Sequence, residues 1–277
     1  MFKTVQKTVW AFDIEWVPDP EAARLLVEGL DAGASDLELM EGLWQRGGGD
    51  ADNPRPYLKT VLCRIVSIAA IERRVRDDGS VGLNLVSLPH DVNDPDQTKE
   101  PDIIGKFLEA AGDRKPQLVG FNSINADMTI LIQRAIVNGI QADKFARRPD
   151  KPWEGVDYFA RGSEFNIDLM EIVGPWGRGN PSLHEITTLS GIPGKIGIGG
   201  SRVADQWLAG DLKSIVDYNE FDAISTYLLW LRIAHFGGFF DDAGYEEEQV
   251  RLRTLLETLG SQAGKEHLLQ YLEKWAQ

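Results

Sequence analysis

One cysteine, four histidines and no long apolar run bound what this 277-residue chain can be. A lone Cys63 cannot form an intramolecular disulfide, and its place in the run VLCRIVSIAAI reads as a small buried hydrophobe. The histidines offer no zinc cluster. His184–Glu185 fails the metalloprotease pattern, because Thr188 stands where the second histidine belongs. No stretch approaches the ~18 consecutive apolar residues of a membrane span. The opening MFKTVQKTVWAFDIE runs into a strand-like segment without an apolar signal core, so the cytoplasm is the expected compartment. Positive charge is also scarce: 29 Lys and Arg stand against 43 Asp and Glu, a net charge of −14. That balance counts against wrapping long nucleic acid by phosphate neutralisation. It does not count against a small site gripping a strand end, where metal ions supply positive charge. The basic groups Arg64, Arg73, Arg74, Arg76 and Lys144, Arg147, Arg148, Lys151 read as solvated faces.

The hydrophobic content of 43% suits a packed core. Residues 7–16 (KTVWAFDIEW) read as a buried strand, and 20–44 as helix broken near Gly29–Gly33. A loop rich in glycine, proline and acids covers 46–56. Strands at 60–74 and 81–88 flank Asp77-Asp78-Gly79, a hairpin signal. A helix fits 99–111, a strand 117–121, and an amphipathic helix 125–138 that stops at Asn138–Gly139. A strand follows at 166–170, then helices at 182–190, 203–209 and 212–235. Residues 245–275 read as two amphipathic helices broken near Gly260–Gly264. No repeat or low-complexity linker divides the chain. The expected organisation is a mixed α/β domain over 1–240, with 241–277 as its helical C-terminal extension.

Four acids stand out by their settings: Asp13 and Glu15 in AFDIEWVPD, Asp127 in VGFNSINADMTIL, and Asp222 in DYNEFDAISTYLLWLR. Two residues apart on a strand, Asp13 and Glu15 point to one face. Asp127 opens a helix after a strand, where NSIN offers caps. Tyr218 and Asp222, four apart on a helix, share a face. A carboxylate cluster suits hard, oxygen-seeking cations such as Mg²⁺, which suit phosphate chemistry.

Through these residues the chain resembles the DEDD superfamily of 3′–5′ exonucleases, whose tyrosine-bearing branch carries the Tyr218-x-x-x-Asp222 spacing. It looks most like stand-alone bacterial proteins similar to the proofreading exonuclease domain of B-family DNA polymerases. The stretches FDIEWVPD, GFNSINADMTIL, SLHEITTLSGIPGKIG and DYNEFDAISTYLLWLR carry the resemblance, over most of residues 7–235. Asp13, Asp127 and Asp222 follow in order, 114 and then 95 residues apart. Two positions depart from the pattern: Ala126 stands where an aromatic residue is usual, and Lys59 where relatives often show histidine.

The resemblance implies a ribonuclease H-like mixed sheet flanked by helices, with Asp13 and Glu15 on its central strand. It implies that Asp13, Glu15, Asp127 and Asp222 bind two divalent ions, Mg²⁺ or Mn²⁺, ~3.5–4 Å apart, for hydrolysis of single-stranded ends. DNA is favoured over RNA as partner. With a pKa near ~10 in the free residue, Tyr218 orients the attacking water instead of acting as base. Phe12, Ile14 and Trp16 alternate with the acids and pack the strand's other face. Main-chain groups at Ile14 and Glu15, with Trp16, are candidates to meet the terminal nucleotide. Asn122 is placed to touch substrate or to cap the helix, and Asp168 to play a structural role. Lys195 in GIPGKIGIGG is not in a Walker motif, since Leu189 and Ile196 occupy defining positions, yet a loop there would bring one cation to the strand. The competing reading is a non-catalytic nucleic-acid-binding or scaffold protein on an inactive exonuclease fold.

Overall fold

The computed structural model describes residues 1–151, 153–174, 179–194, 196 and 202–275. Strand β1 (Thr8–Pro18) is followed by helices α1 (Pro20–Leu26) and α2 (Asp36–Arg46). A 3₁₀ turn, Thr60–Leu62, leads into β2 (Cys63–Val75) and β3 (Val81–Leu88). Then come α3 (Glu100–Arg114), β4 (Gln117–Gly120), α4 (Asp127–Val137), α5 (Asp143–Ala146) and β5 (Asn166–Asp168). The rest is helical: α6 (Leu169–Val173), α7 (Leu183–Leu189), α8 (Val203–Leu208), α9 (Leu212–Phe236), α10 (Asp242–Gly260) and α11 (His267–Trp275).

The five strands lie in the order β3-β2-β1-β4-β5, so β1 is central, as expected. It runs antiparallel to β2 and parallel to β4. The expected hairpin joins β2 and β3, with Gly79 at φ 81, a left-handed turn position that glycine adopts without a Cβ clash. Alternation along β1 divides the core. Trp10, Phe12 and Ile14 pack among residues of α2, α3 and α4, including Leu43, Phe107 and Leu131. Val9 and Ala11 face the opposite way, into a cluster containing Ile224, Tyr227 and Leu228 of α9. Asp13 and Glu15 continue that second series, so β1 presents both acids on its α9 face.

Helix α9 is buried on nearly every side between Ile215 and Ala234, with polar Asn219, Glu220, Ser225 and Thr226 enclosed among its apolar residues. Tyr227 and Trp230 are fully enclosed, each burial contributing roughly 1.5–3 kcal/mol. The terminal helices α10 and α11 add Leu252, Leu256, Leu268 and Tyr271 to the same cluster. A buried ion pair fastens α10 to the sheet: Arg73 on β2 donates from Nη2 and Nε to Glu248 at 2.7 and 3.1 Å. The Tyr227 hydroxyl donates to the same carboxylate at 3.0 Å. Cys63 is 3% exposed inside the first cluster, and burial pushes its thiol up to about 12.

Several expectations are corrected. The strand expected at 166–170 stops at Asp168, because the Asp168 side chain accepts from Met170 N–H and starts α6. Of the basic groups read as solvated faces, Arg73 is instead buried in the pair with Glu248, whereas Lys144, Arg148 and Lys151 are exposed as expected and pair with Asp113, Asp157 and Glu154. Among the described residues, no helix is long and apolar enough to cross a membrane.

Candidate active site

Asp13 and Glu15 of β1 meet Asp222 of α9. Each offers a carboxylate oxygen, and these oxygens all lie within 4.8 Å of one another. All three side chains are partly exposed and so open to solvent. A register shift between Glu15 and Trp16 in the β1–β2 ladder falls immediately after the second acid. Bulges of this kind re-aim side chains beside functional sites. Three carboxylates at such range repel one another unless a cation lies between them, and an all-oxygen donor set matches Mg²⁺ or Mn²⁺.

Asp127 enters from the opposite helix layer. It is the first residue of α4, where the helix dipole favours a carboxylate. Its Oδ1 accepts from Ile14 N–H at 3.0 Å, tying α4 to the residue between the two strand acids. It is buried, and its oxygens are not among the three that converge within 4.8 Å. The charges of Asp168 and Asp222 act on it, so it adjoins the cluster. The cap that Asn122 could have supplied does not form: the N-cap position of α4 is Ala126, and no side chain caps it. Instead Asn122 takes a left-handed φ of 59, and its N–H donates to Asp168 Oδ1 at 2.8 Å. Asp168 Oδ2 also accepts from Ile124 N–H at 3.1 Å. Asp168 therefore holds the loop that delivers Asp127, the structural role expected of it. Gly120 precedes this loop because a Cβ there would meet Ser123 Cβ at 2.4 Å.

Tyr218 lies one turn before Asp222 on α9 and is 3% exposed. Burial, then the charges of Asp222, Glu15 and Asp13, and a hydrogen bond to Asp222, all raise its pKa. The phenol stays protonated and donates to Asp222.

The other sequence candidates divide. Trp16 is partly exposed beside the acids, its ring packed against the first core cluster. Ile14 is 2% exposed and its N–H is already given to Asp127, so that N–H is not open to a nucleotide. Asn122 is half-buried, with its side-chain oxygen accepting from Asn125 at 3.3 Å. Lys195 lies outside the described residues. Sequence reasoning missed Glu220, two residues before Asp222 and fully buried. It accepts hydrogen bonds from Ser87 of β3 and Lys265, and its Oε2 is 2.7 Å from His267 Nε2 of α11. These contacts fix α9 to β3 and to the C-terminal helices.

Compared with known proteins, residues 55–275 match the family described as predicted 3′–5′ exonucleases related to the exonuclease domain of PolB. The chain belongs to this family. The matched span holds Asp127, Tyr218, Asp222 and both C-terminal helices, while the β1 acids precede it. No curated protein matches the sequence. Among solved structures, the exonuclease is similar to the family B DNA polymerase from the hyperthermophilic archaeon Pyrobaculum calidifontis. That similarity has 16% identity and a TM-score of 0.45, over 82% of this chain and 25% of the polymerase. The chain thus spans about a quarter of that protein.

The burial of Asp127 has a measurable consequence in the exonuclease without metal. Burial first, with the charges of Asp168 and Asp222, pushes its carboxyl up to about 7 against lowering hydrogen bonds, including that from Ile14 N–H. Its folded-state pKa therefore lies above the unfolded value, so the unfolded chain gives up this proton first. The resulting penalty is absent below the unfolded pKa near ~3.9, grows as pH rises to the folded value and is complete above it. At pH 8 in EDTA, Asp127→Asn is expected to stabilise the fold by on the order of 2 kcal/mol, a rise in Tm of about 5 °C. At pH 5 the gain should be clearly smaller, and below pH ~4 it should be gone. Equal melting curves for variant and wild type at pH 8 would refute the strained carboxylate.

Proposed function

We propose that this exonuclease removes nucleotides from the 3′ ends of single-stranded nucleic acid, DNA in preference to RNA, by hydrolysis assisted by two divalent ions. The observation that carries the reading is the convergence of Asp13, Glu15 and Asp222 oxygens within 4.8 Å. The preference for DNA is supported by the family's relation to a DNA polymerase exonuclease domain. Asp13, Glu15 and Asp222, with Asp127 adjoining, would hold the ions. Bound there, Mg²⁺ or Mn²⁺ supplies an acidified water and a clamp on the attacking and leaving oxygens.

The chain's own groups do the positioning. Asp13 and Glu15 are held on the central strand by pairing with Ala69 and Ser67 of β2, and Ile14 between them is tied to Asp127; β4 pairs β1 only at Val9, Trp10 and Ala11 before them. Asp222 is set against them by α9, whose rotation Glu220 fixes from its opposite side. The Tyr218 hydroxyl donates to Asp222, leaving its lone pairs to accept a hydrogen bond from the attacking water. A neutral phenol orients that water and takes no proton from it. Packing of α10 and α11 into the α9 core supports keeping residues 241–277 within one domain with 1–240.

The deciding experiment follows a 5′-labelled oligonucleotide, as DNA and as RNA, with Mg²⁺, Mn²⁺ or EDTA. A ladder shortened from the 3′ end, dependent on metal and faster on DNA, is the expected outcome. Binding without shortening would favour the scaffold reading. Ions should also raise the melting temperature, since only the folded chain holds the assembled carboxylates. At 100 times Kd the gain is about 2.7 kcal/mol. Identical melting in EDTA and in excess Mn²⁺, with no heat of ion binding, would remove the metal site.

A further inference from the structure

Tyr57 is 73% exposed, yet the segment that carries it is tightly held. Pro54 and Pro56 fix two backbone φ angles just before it. Between them, the Arg55 guanidinium stacks on Trp44 at 4.6 Å and pairs with Asp205 of α8 at 2.7 Å. On the other side, Leu58 is 5% exposed in the core. Thr60 Oγ1 donates to Gln133 Oε1 of α4 at 2.8 Å. Burial alternates along this extended stretch: Tyr57 out, Leu58 in, Lys59 out. Tyr57 and Lys59 therefore project on the same side, about 7 Å apart along the chain.

The segment runs into β2 at Cys63, which pairs with Pro18 at the end of β1, just past the two strand acids. It is tied to α8 through Arg55 and, through Thr60, to α4, the helix that Asp127 opens. The surrounding protein, then Cys63, then the charge of Asp127 raise the Tyr57 hydroxyl's pKa, so ring and carboxylate are within electrostatic reach. Two other large aromatics are as exposed, but their settings differ. Trp153 lies near Lys151, at 5.9 Å, and Phe236 ends α9 about 21 Å along the helix from Asp222. Resting on the exonuclease reading above, we propose that Tyr57 is a stacking platform for a nucleobase near the 3′ end, with Lys59 meeting an adjoining phosphate. A flat ring accepts any base, because every base has a π face. A fixed ring also avoids the ordering entropy that a mobile one would lose on binding. The segment thus supplies grip without sequence preference, as a strand-end nuclease needs, while the acids supply the metals.

The test uses the full chain and a single-stranded oligonucleotide bearing 2-aminopurine near its 3′ end. With Mn²⁺, Tyr57→Ala is expected to raise KM about tenfold and to leave kcat within about twofold. Tyr57→Phe, which keeps the ring, should restore the wild-type KM. With Ca²⁺ in place of Mn²⁺, wild type and Tyr57→Phe should quench 2-aminopurine on binding, and Tyr57→Ala should not. Lys59→Met should reduce the slope of log affinity against log salt by about 0.7. An unchanged KM and unchanged quenching in Tyr57→Ala overturn the platform, as does a loss confined to kcat. Quenching by wild type without nucleotide release in Mn²⁺ would overturn the exonuclease reading alone. Neither binding nor release by wild type would overturn both.

Discussion

Asp13→Ala and Asp222→Ala are each expected to abolish metal-dependent nucleotide release, by on the order of 10³-fold or more, while the fold persists. Each removes one of three oxygens that converge within 4.8 Å. Charge stabilisation by a bound ion contributes several kcal/mol to such a reaction, and each 1.36 kcal/mol is tenfold in rate. The two variants should differ in their effect on the protein without metal. Asp13→Ala relieves repulsion within the cluster, so its Tm in EDTA should equal or exceed that of wild type. Asp222→Ala relieves the same repulsion but also strips the buried Tyr218 hydroxyl of its acceptor, a loss of about 1–3 kcal/mol. Its Tm should therefore fall below that of Asp13→Ala. Both should lose the rise in Tm that Mn²⁺ gives wild type. Ordinary activity in either variant at millimolar Mg²⁺ would dismantle the site.

The parts of this molecule legible in the sequence are those governed by local pattern. Alternating aromatic and β-branched residues in TVWAFDIEWVP specify a buried strand, and the same period of two puts Asp13 and Glu15 on one face. Helical spacing likewise unites Tyr218 with Asp222, and Asp77-Asp78-Gly79 marks the hairpin. What escaped the sequence depends on elements meeting across long separations. Nothing local says that Asp127 will take the N–H of Ile14, 113 residues earlier, and so withdraw it from substrate. Asn122 has the chemistry of a helix cap, but its left-handed backbone turns it to the Asp168 tether instead. Glu220 looked like one acid among 43. Burial raises its pKa, yet hydrogen bonds with His267, Lys265 and Ser87 together hold it below the usual value, a balance set by three separate elements. Tyr57 falls between the loop read at 46–56 and the strand read from 60, and its neighbours Arg55 and Leu58 gain meaning from Trp44, Asp205 and the core.

Tyr218→Phe separates positioning from metal binding. The variant keeps the ring that packs at 3% exposure and removes only the hydroxyl. If that hydroxyl holds the attacking water, its loss should lower kcat on the order of 10²-fold, typical for one positioning hydrogen bond. Metal affinity is affected by a different route. The hydroxyl donates to Asp222, so its removal leaves that ligand less restrained but still charged and still on the same helical turn. Mn²⁺ affinity should therefore change by less than about tenfold, the range of a single side-chain hydrogen bond. Single-turnover release of a labelled 3′ nucleotide, alongside Mn²⁺ titration of the same variant, gives the two quantities. Wild-type cleavage would reduce Tyr218 to a packed helix residue. Parallel loss of cleavage and of Mn²⁺ binding would make it a support for Asp222. Only a large fall in kcat with near-normal Mn²⁺ binding places the phenol on the reacting water, which its raised pKa and its position one turn from the acid cluster lead us to expect.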